Sequence, residues 1–218
     1  MAASPKIQHL ESLLRERGLG RALPAADKPV HEPLSTGRPE IDRRLGGGLP
    51  RGAISEVLGP QSSGRTALVF SALAQATQAG EVAAYIDATD CLDPRSAEQA
   101  GIVLERLLWV RCDPREQPRY ERMRKQPVDQ AWQAVNLIAA AGGFGLIVAD
   151  LGGLSRRKLG EWQRRPWVRL RQAIEHTATA LTVLTEHHVA QGAISLGTRE
   201  GLGTRDRGQG TRGLLEVA

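Results

Sequence analysis

The sequence predicts an α/β fold in which a mainly parallel, twisted sheet is covered by helices on both faces. Three observations predict it. From Leu34 onward, short apolar runs of strand length alternate with longer helical patterns, the layout of strands joined by crossover helices. One strand-to-helix junction reads GPQSSGRT, from Gly59 to Thr66, and this setting makes a phosphate-binding loop credible. Asp150 closes another apolar run, which puts a carboxylate where open α/β sheets gather their ligand groups.

The strands are expected at AISEVLG (53–59), EVAAYIDA (81–88), LIVADL (146–151) and ALTVLTE (180–186), with a shorter one at LLWVRC (107–112). Their apolar character is continuous rather than alternating, as in strands buried on both faces. Helical spacing is seen at Thr66 to Gln78, Asp129 to Ala141 and Trp167 to Thr177, each ended by glycine or small polar residues. This repeated βα order requires right-handed crossovers. No internal repeat is visible.

Before the core, residues 1–33 form a separate stretch. Ile7, Leu10, Leu13 and Leu14 lie at helical spacing until Gly18 and Gly20 stop the pattern, and proline and charge then fill Leu23 to Pro33. This predicts a short amphipathic N-terminal helix on a linker, suited to docking on a partner or to packing back on its own domain. The core is expected over 34–190. The remainder, 191–218, is rich in glycine, arginine and threonine from Gln191 to Gly213, which predicts a mobile loop or tail with room for one last strand.

Composition narrows the functional classes. The net charge of +5 comes almost entirely from arginine, lysine occurring only at Lys6, Lys28, Lys125 and Lys158. Arginine suits phosphate because its planar fork pairs with two oxygens, although a solvated basic surface has the same composition. Cys91 and Cys112 stand far apart with no histidine at metal-ligand spacing, so neither a disulfide framework nor a zinc site is indicated and a reducing cytoplasm is expected. Nowhere do enough apolar residues run together for a membrane span, and the N-terminus is not patterned as a signal peptide.

The phosphate loop comprises Gly59, Pro60, Gln61, Ser62, Ser63, Gly64, Arg65 and Thr66. Its glycines allow successive N–H groups to face a phosphate at the positive end of a helix, and Thr66 offers a hydroxyl to magnesium. Asp150 occupies a Walker-B-like position; an aspartate capping the turn at Gly152 and Gly153 would look the same. Arg65 stands where this loop ordinarily has lysine. Its guanidinium can hold a nucleotide, or it can take the phosphate space and close the loop with no ligand. Nucleotide binding is therefore open, and efficient hydrolysis is not expected.

Residues 34–66, LSTGRPEIDRRLGGGLPRGAISEVLGPQSSGRT, and 85–94, YIDATDCLDP, closely resemble the core of bacterial RecA recombinases, and the resemblance continues more weakly through Asp150 to about Glu186. It implies a RecA-like P-loop core, with ATP and magnesium as cofactors and Thr66 and Asp150 on the metal if a nucleotide binds. Three departures stand out. Thr89 replaces the family's catalytic glutamate and cannot serve as a general base. Arg65 replaces the loop lysine, and Glu186 replaces the glutamine that senses the terminal phosphate. The chain also stops near the end of the core, so no equivalent of the RecA C-terminal domain is expected.

This combination resembles the ImuA family, short RecA-like proteins encoded with a polymerase-like partner, ImuB, and an error-prone DnaE-type polymerase. The resemblance implies an accessory role in damage-induced, mutagenic translesion synthesis, with both proteins as partners and RecA as a further candidate. Two alternatives remain open. One is an active ATP-dependent recombinase in which Asp90 or Glu56 replaces the missing base. The other is a cell-division inhibitor, suggested only by the label SulA-like given to some such proteins.

Single-stranded DNA is the expected nucleic-acid partner. The stretch from Ser155 to Gln172 interleaves Arg156, Arg157, Lys158, Arg164, Arg165, Arg169 and Arg171 with Trp162 and Trp167. Cations tracking phosphates beside indoles stacked on bases suit a single strand without sequence preference. Equally, Trp167 and Leu170 at helical spacing fit a core, with the arginines on a solvated face.

Overall fold

A computed structural model of the chain describes residues 31–112 and 126–190, together with the backbone of strands 194–198 and 214–217. The expected N-terminal helix at 6–17 lies outside the described residues. Seven parallel strands form one sheet: β1 (Ile54–Leu58), β2 (Val82–Asp87), β3 (Leu107–Arg111), β4 (Phe144–Asp150), β5 (Ala180–Thr185), β6 (Ile194–Thr198) and β7 (Leu214–Val217). Their order across the sheet is β3-β2-β4-β5-β1-β6-β7. The five strands expected from the apolar runs are all present.

Residue parity divides the sheet into two faces, as the two-residue repeat of a strand requires. Ala84, Ile86, Ile147, Ala149, Leu181 and Val183 face one core. Ala83, Tyr85, Leu146, Val148, Ala180 and Leu184 face the other. Helix α2 (Arg65–Gln78) buries Val69, Phe70 and Leu73 in the second core. Against the first lie α4 (Pro127–Ala141), α5 (Arg156–Gln163) and α6 (Trp167–Ile174). Two short helices, α1 (Pro39–Leu45) and α3 (Pro94–Gln99), and one 3-10 turn at Leu104–Arg106 complete the helical elements among the described residues.

The caps explain the short helices. Both α1 and α3 begin with proline in the first turn, where no amide hydrogen is needed. The Asp93 carboxylate caps α3 by accepting from the amides of Arg95 and Ser96 and from the Ser96 hydroxyl at 2.6 Å. Those bonds hold its carboxyl below the usual carboxylate range, with the Ser96 hydroxyl contributing most. The glycine run after α1 serves a close approach: Leu34 and Leu49 exchange backbone hydrogen bonds at 2.8 and 2.7 Å, and a Cβ on Gly48 would stand 2.1 Å from the Leu34 carbonyl oxygen.

Two expectations change. Core pairing does not end at residue 190, because β6 pairs with β1 and β7 pairs with β6, so part of the expected tail is sheet. Backbone pairing beside an existing strand supplies what the weak apolar pattern of this segment does not advertise. Helix α5 is an addition to the expected elements. Only Leu159 and Trp162 of its eight residues are buried, too sparse a stripe to stand out among arginines.

Candidate functional site: a phosphate loop closed by its own arginine

Strand β5 lies between β4 and β1, pairing Leu184 with Asp150 and Thr185 with Leu58. The residue after β5 therefore emerges between the end of β4 and the loop at the end of β1. Gly59 extends this pairing by donating its amide to the Thr185 carbonyl at 3.2 Å. Glu186 is thereby set beside both Asp150 and the phosphate loop.

The loop itself has the backbone that its glycines predict. Gly64 takes a left-handed conformation at φ 85° and caps α2 without any side-chain bond, while Ser62 is left-handed at φ 66°. Thr66 is exposed. Arg65 instead turns inward and is 8% exposed. Its Nη1 donates to the carbonyl oxygen of Gly59, the first residue of the same loop, and its Nη2 donates to Glu186 Oε1 at 3.3 Å. A buried guanidinium needs a counter-charge, and Glu186 supplies one. In this arrangement the guanidinium is folded onto its own loop.

Asp150 is also engaged. Its Oδ2 accepts the hydroxyl of Tyr85, and its Oδ1 accepts the amide of Gly152 at 2.8 Å. Burial raises its pKa, a shift that these two bonds and the nearby Arg65 oppose. Burial and the charge of Asp150 push the Tyr85 hydroxyl far up, so it stays a donor. Gly152 is small where two groups converge: a Cβ there would lie 2.8 Å from Arg65 Nη2 and 2.9 Å from Asp150 Oδ1.

The candidate bases are held elsewhere. The Thr89 hydroxyl donates to the Gly152 carbonyl at 3.1 Å. Asp90, left-handed at φ 57°, receives Arg111 in a two-bond pair of 2.6 and 2.8 Å. Glu56 is fully buried and accepts the amides of Val189 and Ala190 at 2.8 and 2.6 Å, with His188 Nδ1 on its other oxygen. Neither carboxylate is poised for water attack at the loop.

Arg65 in this arrangement occupies the loop that would receive the phosphates of a magnesium nucleotide. The guanidinium lies across the phosphate loop, and the Asp150 oxygens already serve Tyr85 and Gly152. Thr66 alone of the expected metal ligands is open. Among the described residues, no three His, Cys, Asp or Glu are grouped to hold a metal.

The profile of the RecA N-terminal domain matches residues 10–150. This chain belongs to that family. Its RecA-like core is 35% identical over 144 residues to Protein RecA of Thermus thermophilus, covering 65% of this chain and 38% of that protein. It is 34% identical over 158 residues to Protein RecA of Streptomyces venezuelae (69% and 38%) and 37% identical over 145 residues to that of Paracoccus denitrificans (65% and 37%). The chain thus spans well under half the length of these relatives.

The second expected site needs correction. Trp162 and Trp167 are buried at 0% and 2% exposure and pack edge-on against Trp132, with ring centroids 5.2 Å away in each case. Their indole nitrogens donate to the Val128 and Trp162 carbonyls at 3.0 Å each. They are core residues, so no base can stack on them, in keeping with the helical spacing that places Trp167 and Leu170 together. Arg165 is paired with Asp129, and Lys158 is half-buried. Arg156, Arg157, Arg164 and Arg169 remain exposed, with Arg156 Nε donating to His187 Nε2 at 3.1 Å.

Sequence reasoning missed Tyr85 as the partner of Asp150, and it missed the bonds from Glu56 and Arg156 to the segment after β5. A phenol two residues before Asp87, in an otherwise apolar strand, was the available signal. A buried tyrosine hydroxyl requires a partner.

Proposed function

We propose that this chain is a RecA-like accessory protein of the ImuA type, acting in damage-induced mutagenic translesion DNA synthesis by binding partners or DNA, with ATP turnover weak or absent. One observation carries this reading: Arg65 is folded onto Gly59 and Glu186 inside its own phosphate loop. Among the described residues, Thr89 is bonded to Gly152 and Asp90 to Arg111, which favours weak turnover. A scaffold so arranged recognises and recruits. Its proposed partners are the polymerase-like ImuB and an error-prone DnaE-type polymerase, with RecA as a further one, and single-stranded DNA is met through the phosphate backbone alone, by Arg156, Arg157, Arg164 and Arg169.

The test has two readouts. Purified protein with single-stranded DNA and magnesium ATP should release no phosphate above background, while co-expression with the polymerase-like partner should yield a complex that survives purification. Rapid phosphate release abolished by Gly64→Val would overturn the reading. A second reading, an active ATP-dependent recombinase, is favoured by the relatives named Protein RecA. It requires ATP-dependent filaments, visible by electron microscopy, and lack of nucleotide binding removes it.

A further inference from the structure

We infer that Glu186 is a tethered anion that fills the phosphate seat at Arg65, locking the segment from Glu186 to Ala190 in one arrangement without nucleotide. The inference rests on the low-turnover reading above and adds what replaces the ligand.

Arg65 is nearly sealed from water at 8% exposure, while the Glu186 side chain is 33% exposed. A buried guanidinium is stable only beside an anion. Gly59 contributes a carbonyl dipole but no charge. Asp150 lies close enough to feel the Arg65 charge, but the direct bond from Nη2 goes to Glu186. Glu186 therefore supplies the charge that a bound phosphate would otherwise bring. It arrives by covalent tether from β5, so its effective concentration at Arg65 is far above that of a free ligand.

The next four residues are held in turn by α5 and β1. His187 Nε2 accepts from Arg156, the first residue of α5. Gln163 Nε2, at the far end of α5, donates to the His188 carbonyl at 2.5 Å. Glu56 in β1 then holds His188, Val189 and Ala190. The whole run from Glu186 to Ala190 is thus clamped among the phosphate loop, β1 and the basic helix.

The experiment is calorimetric titration of the full chain with ATP, with and without magnesium. The wild type is expected to give no binding heat at millimolar ATP. Glu186→Gln leaves Arg65 without its counter-charge and should bind ATP at least about tenfold more tightly. The gain should be the same without magnesium, because Asp150 stays with Tyr85 and Gly152. Glu186→Asp, which keeps the charge, should remain closed. If Glu186→Gln melts early, the double variant R65K/E186Q leaves no unpaired guanidinium in the loop and should show the same gain over R65K alone. A folded variant without that gain overturns the lock while leaving the accessory function standing. A wild type that binds and hydrolyses magnesium ATP overturns both.

Discussion

The hydroxyl of Tyr85 is bonded to the carboxylate of Asp150, across two neighbouring strands and inside the core. Register makes this possible. Tyr85 is level with Val148 and points to the same face as Asp150, two residues further along β4. The phenol therefore takes a lone pair of the Asp150 carboxylate. Tyr85 is as much a part of the closed site as Arg65.

Removing that hydroxyl strands a buried acceptor. Tyr85→Phe should lower stability by about 1–3 kcal/mol, the usual penalty for an unsatisfied buried polar group. Urea unfolding at neutral pH measures this, with an unchanged slope showing that the native fold persists. A midpoint equal to that of the wild type would mean that Asp150 does not depend on the phenol.

Asp150 also predicts a dependence on pH. Burial raises its folded pKa above the ordinary 3.8, so the folded state holds this proton more tightly than the unfolded chain. The stabilising contribution is complete below about pH 4, the range of an unfolded carboxyl, and is lost as pH rises through the folded value. Asp150→Asn has no such proton to lose. Its stability relative to wild type should therefore increase from acid towards neutral pH in parallel melts, and a constant difference would contradict the assignment.

The sheet and the loop were legible in the sequence because their signals are local. LIVAD is apolar throughout because β4 is covered on both sides, and the glycines of GPQSSGRT set the loop backbone within a few residues. The closure was legible only in part. Arg65 and Glu186 each stand out as unusual, but they lie 121 positions apart, and only the order of β4, β5 and β1 brings them together. Trp162 and Trp167 misled for the opposite reason. Their arginine neighbours face water along two short helices whose inward sides are carried by two and three residues, and composition alone does not separate the two sides.

The tryptophan cluster should be silent to DNA. Trp132, Trp162 and Trp167 pack on one another beneath α4, α5 and α6, leaving half-buried Trp109 as the remaining indole. In a Trp109→Phe protein, an oligonucleotide that binds by anisotropy should leave tryptophan emission unchanged. Trp162→Ala should instead cost about 3–5 kcal/mol, as expected for a large aromatic removed from a core. Quenching in the first variant would place an indole at the DNA.

The two cysteines differ in reactivity for reasons that can be counted in a mass spectrum. Cys91 is exposed in the turn after β2, whereas Cys112 is buried beyond β3. Burial, helped by the charge of Asp87, pushes the Cys112 thiol up to about 11. The reactive species is the thiolate, so at neutral pH Cys112 is protected twice, by lack of access and by lack of ionisation. Brief alkylation of the folded protein should add one label, located on Cys91, and denaturant should add the second. At pH about 9 Cys112 should still stay unlabelled, since that pH is below the buried thiol's value. Two labels on the folded protein at neutral pH would show that the end of β3 opens far more readily than its packing implies.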